Sequence, residues 1–255
     1  MLPFPRLQII HGPAEIELQR LPFESVDLCW TDPPWNTGSR QKHSSGSSYR
    51  DSLSFDDFRS LIVSMGREVH RLLKPTGSLF ALFDFRAVHD AKTWIDGIFG
   101  RDNFRGEIIW HSELGASFRC NRAWNVRHHT ILWYSKSDAY YFDASKIPRV
   151  KRKSPRKGYE GDKPADSVWT YTLSNTARER VNYPSQKPLA IIRPIIEVHT
   201  KPDEVVLDPF GGSGSTAHAA LSLGRRAISI DQNPESIAVQ HKRLETISWG
   251  GINCE

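Results

Sequence analysis

Val205-Val-Leu207 is an apolar run that stops at Asp208, and Pro-Phe-Gly-Gly-Ser-Gly-Ser-Thr216 follows at once. The apolar run reads as a short buried strand, and Gly211, Gly212 and Gly214 form a tight turn. Ser215 to Leu223 reads as a helix. A buried strand, a glycine turn and a helix in that order constrain the fold more than any other feature of the chain. They belong to a mostly parallel sheet that must be covered on both faces.

The rest of the chain repeats this alternation. Gln8 to His11 and Ser25 to Trp30 are strand candidates, the second stopped by Pro33 and Pro34. Phe58, Leu61, Ile62, Met65, Val69, Leu72 and Leu73 share one face of a helix predicted over Phe55 to Leu73. Lys74 to Gly77 is expected to end it with a turn, and Ser78 to Phe83 to follow as an apolar strand. Ala87 to Phe99, Pro188 to His199 and Pro234 to Ile247 read as helices; Gly106 to Trp110, Thr130 to Tyr134 and Ala227 to Ile230 read as strands. Thr37 to Arg50, rich in Ser, Gly and basic residues, is expected to be a mobile loop. No internal repeat is visible. At 255 residues the expectation is one α/β domain over 1–255.

Composition narrows the class. A hydrophobic fraction of 38% with 25% charged residues fits a globular protein, and the formal charge of +5 suggests a polyanionic partner. Cys29, Cys120 and Cys254 have no metal-ligand spacing and are expected to be reduced thiols of a cytoplasmic protein. The first ten residues lack the pattern of a signal peptide. No apolar run approaches the roughly 20 residues that span a bilayer, so no membrane partner is expected.

The glycine turn implies a small ligand held on backbone N–H groups at a helix start. Asp231, at the end of the next predicted strand, is placed to hold ribose hydroxyls. Gly212-Ser-Gly-Ser-Thr-Ala217 also satisfies a dinucleotide fingerprint, so an NAD-dependent oxidoreductase is a rival; no Lys follows the glycines, which excludes a phosphate-cradling P-loop. Asp208 weighs against a dinucleotide, because a carboxylate beside the turn opposes a pyrophosphate and suits a cation. S-adenosylmethionine carries both a sulfonium and an ammonium.

Asp32-Pro-Pro-Trp35 also ends an apolar run, which places it at the carboxyl edge of the sheet, where open α/β folds bind ligands. The prolines stiffen the backbone and leave their carbonyls as acceptors. Asp32 and the Pro33 carbonyl can take the two hydrogens of one amino group, and Trp35 offers a face on which a base can stack. A rigid turn capped by an aspartate is the plain structural reading of a lone Asp-Pro-Pro. The aromatic residue and the distant cofactor loop favour chemistry.

In this order the motifs resemble β-class DNA amino-methyltransferases, in which the catalytic segment precedes the cofactor segment. Val26 to Asn36 is similar to the catalytic segment, Leu73 to Ser78 to the turn that follows, and Gly106 to Trp110 and His129 to Ser135 to later strands. Tyr183-Pro-Ser-Gln-Lys-Pro-Leu189 resembles the segment ahead of the cofactor loop, and Val206 to Thr216 the loop itself. The resemblance implies a single Rossmann-like domain with a mostly parallel seven-stranded sheet, helices on both faces and a circularly permuted motif order. It implies Asp32, Pro33, Pro34 and Trp35 as catalytic. It implies that Asp208, Pro209, Phe210, Gly211, Gly212, Ser213, Gly214, Asp231, Ser185 and Lys187 hold S-adenosylmethionine, with no metal. The chain departs from the pattern at Gly12-Pro13, where an acidic residue is usual, at Trp35, where Tyr is commoner, and in a short stretch before Pro184.

The resemblance further implies double-stranded DNA as partner, with the target base flipped into the site. Asp32 favours adenine N6 as the methylated atom; cytosine N4 presents the same chemistry and is the alternative. An RNA adenine methyltransferase and a non-enzymatic DNA-binding module are further readings, the first disfavoured by the glycine loop and the second by Asp208 and Asp231. Arg40, Lys42, Lys151, Arg152 and Lys153 are candidate phosphate contacts, the last three within a short basic insert at 142–166 that would also carry target recognition. So short an insert predicts a short or relaxed target, read in part by the 37–50 loop or by a homodimer. Adjacent His128 and His129 point to opposite faces of a strand and read as core or DNA-backbone contacts rather than catalysts.

Overall fold

The computed structural model describes residues 4–36, 38, 40–42, 48–50, 52–112, 124–152, 161–174, 177–181, 183–245 and 247. In chain order the strands are β1 (Leu7–His11), β2 (Val26–Thr31), β3 (Arg40–Lys42), β4 (Ser48–Arg50), β5 (Leu73–Phe83), β6 (Phe104–His111), β7 (His128–Ser135), β8 (Arg149–Lys151), β9 (Asp162–Pro164), β10 (Val168–Thr170), β11 (Val205–Asp208) and β12 (Arg226–Asp231). The helices are α1 (Ala14–Glu17), α2 (Phe55–Leu72), α3 (Val88–Phe99), α4 (Leu189–His199), α5 (Ser215–Ser222) and α6 (Pro234–Leu244).

The main sheet runs β1-β12-β11-β2-β5-β7-β6-β10 and has eight strands. Every neighbouring pair in it is parallel except those of β7, which is antiparallel to β5 and β6. The expected count of seven is therefore corrected. The additional strand is β10, three residues paired with β6 at Val168↔Ile109 to Thr170↔His111. So short a segment carries no readable periodicity.

Alternation along the strands builds two cores. Val26 and Cys29 of β2 face one side with Leu79, Ala81 and Phe83 of β5; Leu28 and Trp30 face the other with Phe80 and Leu82. The first side is covered by α1, α2 and α3, whose Phe58, Ile62, Met65, Val69, Ala91 and Ile95 are buried. The second is covered by α4, α5 and α6, led by Ile191, Ile192, Ile195 and Ile196. Each isoleucine fully buried this way contributes about 1.5–3 kcal/mol. The predicted helical face of α2 is buried at Phe58, Ile62, Met65, Val69 and Leu72, whereas Leu61 is half-buried and Leu73 opens β5 instead. The start of α2 is capped: Ser54 Oγ accepts from Asp57 N at 3.1 Å, with Asp56 and Asp57 in the first turn.

Lys74 to Gly77 does not form the expected turn. Strand β5 begins at Leu73, which pairs with Val26. The reason is Asp27, a buried carboxylate on β2. Lys74 Nζ donates to both its oxygens at 2.8 Å, and Val205 N donates to Oδ2 at 2.9 Å, so one residue fastens β5 and β11 to β2. Within 37–50, β3 and β4 pair as an antiparallel hairpin with Gln41 opposite Tyr49. Within 142–166, β8 pairs with β9. Among the described residues, no helix is long and apolar enough to cross a membrane.

Candidate active site

Three adjacent strands, β12, β11 and β2, deliver a carboxylate each to the same edge of the sheet. Asp231 ends β12, Asp208 ends β11 and Asp32 follows Thr31, the last residue of β2. All three line one cavity of about 460 Å³. This is the carboxyl edge, where an open α/β sheet leaves a crevice.

The glycine turn closes the floor of the cavity. A Cβ at Gly211 would lie 2.0 Å from Ser229 Oγ and 2.8 Å from Gln240 Nε2, so no side chain fits there. Gly214 caps α5 with φ at +74°, in the left-handed region. Gly211 N donates to Ile230 O at 2.8 Å, which stitches the turn to β12. Helix α6 holds it from behind. Ser236 Oγ donates to Gly212 O at 2.7 Å, and Arg243 Nη1 donates to Ser213 O at 3.1 Å and to Ser215 Oγ at 3.0 Å. Arg243 is buried, and desolvation pulls its guanidinium down to about 10.

Asp231 is held by backbone amides, with Gly212 N on Oδ2 and Asn233 N on Oδ1, both at 2.8 Å. Asp208 is buried, and desolvation lifts its carboxyl to about 7, with the charges of Asp32 and Asp231 adding to the rise. Thr216 Oγ1 and Phe210 N donate to it and oppose that rise. Among the described lining residues Lys187 is the one cation facing these three carboxylates. Its Nζ donates to Asp32 Oδ2 at 2.5 Å and to Ser185 O at 3.1 Å.

The Asp32–Trp35 segment is anchored at both ends. Trp35 Nε1 donates to Leu82 O at 3.2 Å, and Asn36, at φ +55°, accepts from Leu53 N through Oδ1 at 2.7 Å. Lys187 Nζ lies 4.6 Å from the centre of the Trp35 ring. The His129 ring lies 4.8 Å from the Trp35 ring and 5.2 Å from that of Trp110. Burial, then the charge of Lys187, holds His129 down at about 4, so it is neutral near pH 7. Beyond it opens a second cavity of about 600 Å³, whose lining includes Trp110, Trp124, Arg86, Arg127, Arg180 and His129.

Of the residues singled out in the sequence, Asp32, Pro33, Pro34, Trp35, Ser185, Lys187, Asp208, Phe210, Gly211, Gly212, Ser213 and Asp231 line the first cavity. Pro209 and Gly214 shape the turn without lining it. Arg40 and Lys42 belong to β3, and Lys151 ends β8 with Arg152 next in the chain; neither Lys151 nor Arg152 lines either cavity. Lys153 lies outside the described residues. Sequence reasoning did not single out Arg243, Ser236 and Gln240 within the predicted Pro234 to Ile247 helix, nor the wedge of His129 against Trp35. The helical spacing of Ser236, Gln240 and Arg243 on one face was the available signal.

Residues 26–242 match the N6/N4 methyltransferase model, described as DNA methylase. The chain belongs to this family. It is 30% identical over 255 residues to the DNA adenine methyltransferase YhdJ of Escherichia coli K12, covering 94% of this chain and 83% of that one. It is 29% identical to the type II methyltransferase M.HinfI of Haemophilus influenzae, over 94% of this chain and 68% of the relative. Among solved structures the PvuII DNA methyltransferase, a cytosine-N4-specific enzyme, superposes with a TM-score of 0.71 at 21% identity over 94% of this chain and 88% of its own. The M1.HpyAVI–SAM complex gives 0.65 at 24% identity over 93% and 98%. These two likenesses concern the fold.

Proposed function

We infer that the protein transfers the methyl group of S-adenosylmethionine to N6 of adenine in double-stranded DNA. The observation that carries this reading is the convergence of Asp32, Asp208 and Asp231 on one cavity beside Trp35. A cavity with three carboxylates and one lysine fits a cationic ligand and opposes a pyrophosphate, so the dinucleotide reading fails on charge. When bound, S-adenosylmethionine supplies an electrophilic methyl on a sulfonium. Asp208, Phe210, Gly211, Gly212, Ser213, Asp231 and Ser185 are the residues that would hold it, with Asp231 toward the ribose hydroxyls.

The chain's own residues then act on the base. An exocyclic amine is a poor nucleophile because its lone pair is spread into the ring. Asp32 and the Pro33 carbonyl accept its hydrogens, which raises electron density on nitrogen, and the Asp32 carboxylate stabilises the positive charge that develops there. Trp35 stacks on the ring. His129, neutral and wedged behind Trp35, fixes that face. Pro33 and Pro34 hold the acceptors rigid, so little reorganisation is needed.

A base inside a duplex cannot reach this edge, so it is flipped out. The second cavity, with Trp110, Trp124 and three arginines, has the chemistry of a strand-binding surface: flat faces for bases and cations for phosphates. Arg40, Lys42, Lys151, Arg152 and Lys153 are the further phosphate contacts that this reading assigns. The enzyme works in the cytoplasm, on the DNA. A homodimer would double its readout of sequence. Adenine is favoured over cytosine by Asp32 and by the name of the Escherichia coli relative. Labelled S-adenosylmethionine incubated with duplex DNA and duplex RNA tests the reading. Label in DNA, abolished by Asp32→Ala, is expected; label in RNA alone would overturn it.

A further inference from the structure

Lys187 stands where the target amine has to go. Its Nζ donates to Asp32 at 2.5 Å and lies 4.6 Å from the Trp35 ring centre, with 12% of the side chain exposed. Under the reading above, a flipped base needs the same carboxylate for its amino hydrogens and the same ring for its face. The ammonium imitates both contacts, one by a charge-assisted hydrogen bond and the other by a cation–π interaction. Lysine and base therefore compete for one acceptor and one surface.

The backbone beside Lys187 is fastened, which confines any movement to the side chain. Ser215 Oγ donates to Lys187 O at 2.9 Å. Gln186 donates to Glu179 O at 2.7 Å and accepts from Val181 N at 2.9 Å. Lys187 lines the first cavity, while its neighbours Gln186 and Pro188 line the second. Its flexible four-carbon stem is a movable partition between them.

Charge supplies the trigger. Lys187 is the one cation among the described residues lining a cavity that also holds Asp32, Asp208 and Asp231. A sulfonium brings a second positive charge into that cavity and competes for the same carboxylates. A thioether of the same shape does not.

We propose that Lys187 is a positioning residue that pairs with Asp32 and Trp35 and yields them to the target amine once a cationic cofactor enters. Cofactor loading then opens the base site. This inference rests on the S-adenosylmethionine reading above.

The test is calorimetry of the full chain with S-adenosylmethionine and with S-adenosylhomocysteine, which lacks the methyl and its charge. Wild type, Lys187→Met and Lys187→Arg are compared, with Lys187→Gln as a second neutral variant in case Lys187→Met does not fold. Removing one cation near a bound cation should shift the ratio of the two dissociation constants toward S-adenosylmethionine by roughly tenfold, as for charges about 10 Å apart at an effective dielectric of about 20. Lys187→Arg should keep the wild-type ratio. An unmoved ratio in the folded neutral variants would overturn the proposal. So would equal loss of both ligands, which would make Lys187 a plain cofactor contact. Wild type binding neither ligand would instead overturn the cofactor reading, and this inference with it.

Discussion

Thr216 Oγ1 donates to Asp208 Oδ2 at 2.5 Å, joining the end of β11 to the first turn of α5 across the glycine loop. The bond holds a buried carboxyl in the wall of the cofactor cavity. Its cost to folding and its use to the ligand have opposite signs.

Burial lifts Asp208 from 3.8 to about 7, so between these values the folded protein keeps a proton that the unfolded chain has lost. Stability from this group therefore falls as pH rises from about 4 to about 7. A cationic ligand favours the ionised form, so S-adenosylmethionine should bind more tightly above pH 7 than below it, releasing a proton. Asp208→Asn should melt higher than wild type at pH 8, by about 2–4 °C for each kcal/mol regained, and should lose that advantage at pH 4. It should also bind S-adenosylmethionine poorly at every pH. Melting curves and calorimetry across this range check both signs.

Asp32→Ala should lower the methylation rate by about 100- to 1,000-fold, the usual effect of removing one oriented group at a developing charge. The fold should survive, because Asp32 follows the end of β2 and lines the cavity at the sheet edge. Single-turnover methylation beside a melting curve separates the two effects. A variant keeping near-normal turnover would remove Asp32 from the chemistry.

Arg243→Met should destabilise the protein by about 2–4 kcal/mol, since it leaves Ser213 O, Ser215 Oγ and His218 Nδ1 without their donor. The same change should weaken cofactor binding by loosening the glycine turn. Urea unfolding gives the first number and calorimetry the second. Unchanged cofactor affinity would mean that the turn holds its shape without α6.

Neutralising Lys151, Arg152 and Lys153 together should flatten the slope of log K against log salt for DNA by about 2.7, at about 0.9 per phosphate contact. Binding titrations over a salt series measure it. No change in slope would return this run to a solvated surface, leaving Arg86, Arg127 and Arg180 at the second cavity as the phosphate contacts.

The parallel sheet was legible because β2, β11 and β12 are apolar runs, each ending at or one residue before an aspartate, and that punctuation also marked the site. Two things were not legible. The strand β10 is too short to show a period. The pairing of Lys187 with Asp32 joins residues 155 positions apart, and no local pattern in either segment announces it. The burial of one face of α6 was not legible for a related reason: Gln240 and Arg243 are polar residue types that are rarely buried, yet here they are buried as the backing of the glycine turn.

The most direct test of the account is nucleoside analysis of DNA from cells expressing the protein, against cells expressing Asp32→Ala. The account predicts N6-methyladenine in the first DNA and none above background in the second. N4-methylcytosine in place of N6-methyladenine would contradict the assigned target atom, and unmodified DNA from cells with folded, S-adenosylmethionine-binding protein would contradict DNA adenine methylation itself.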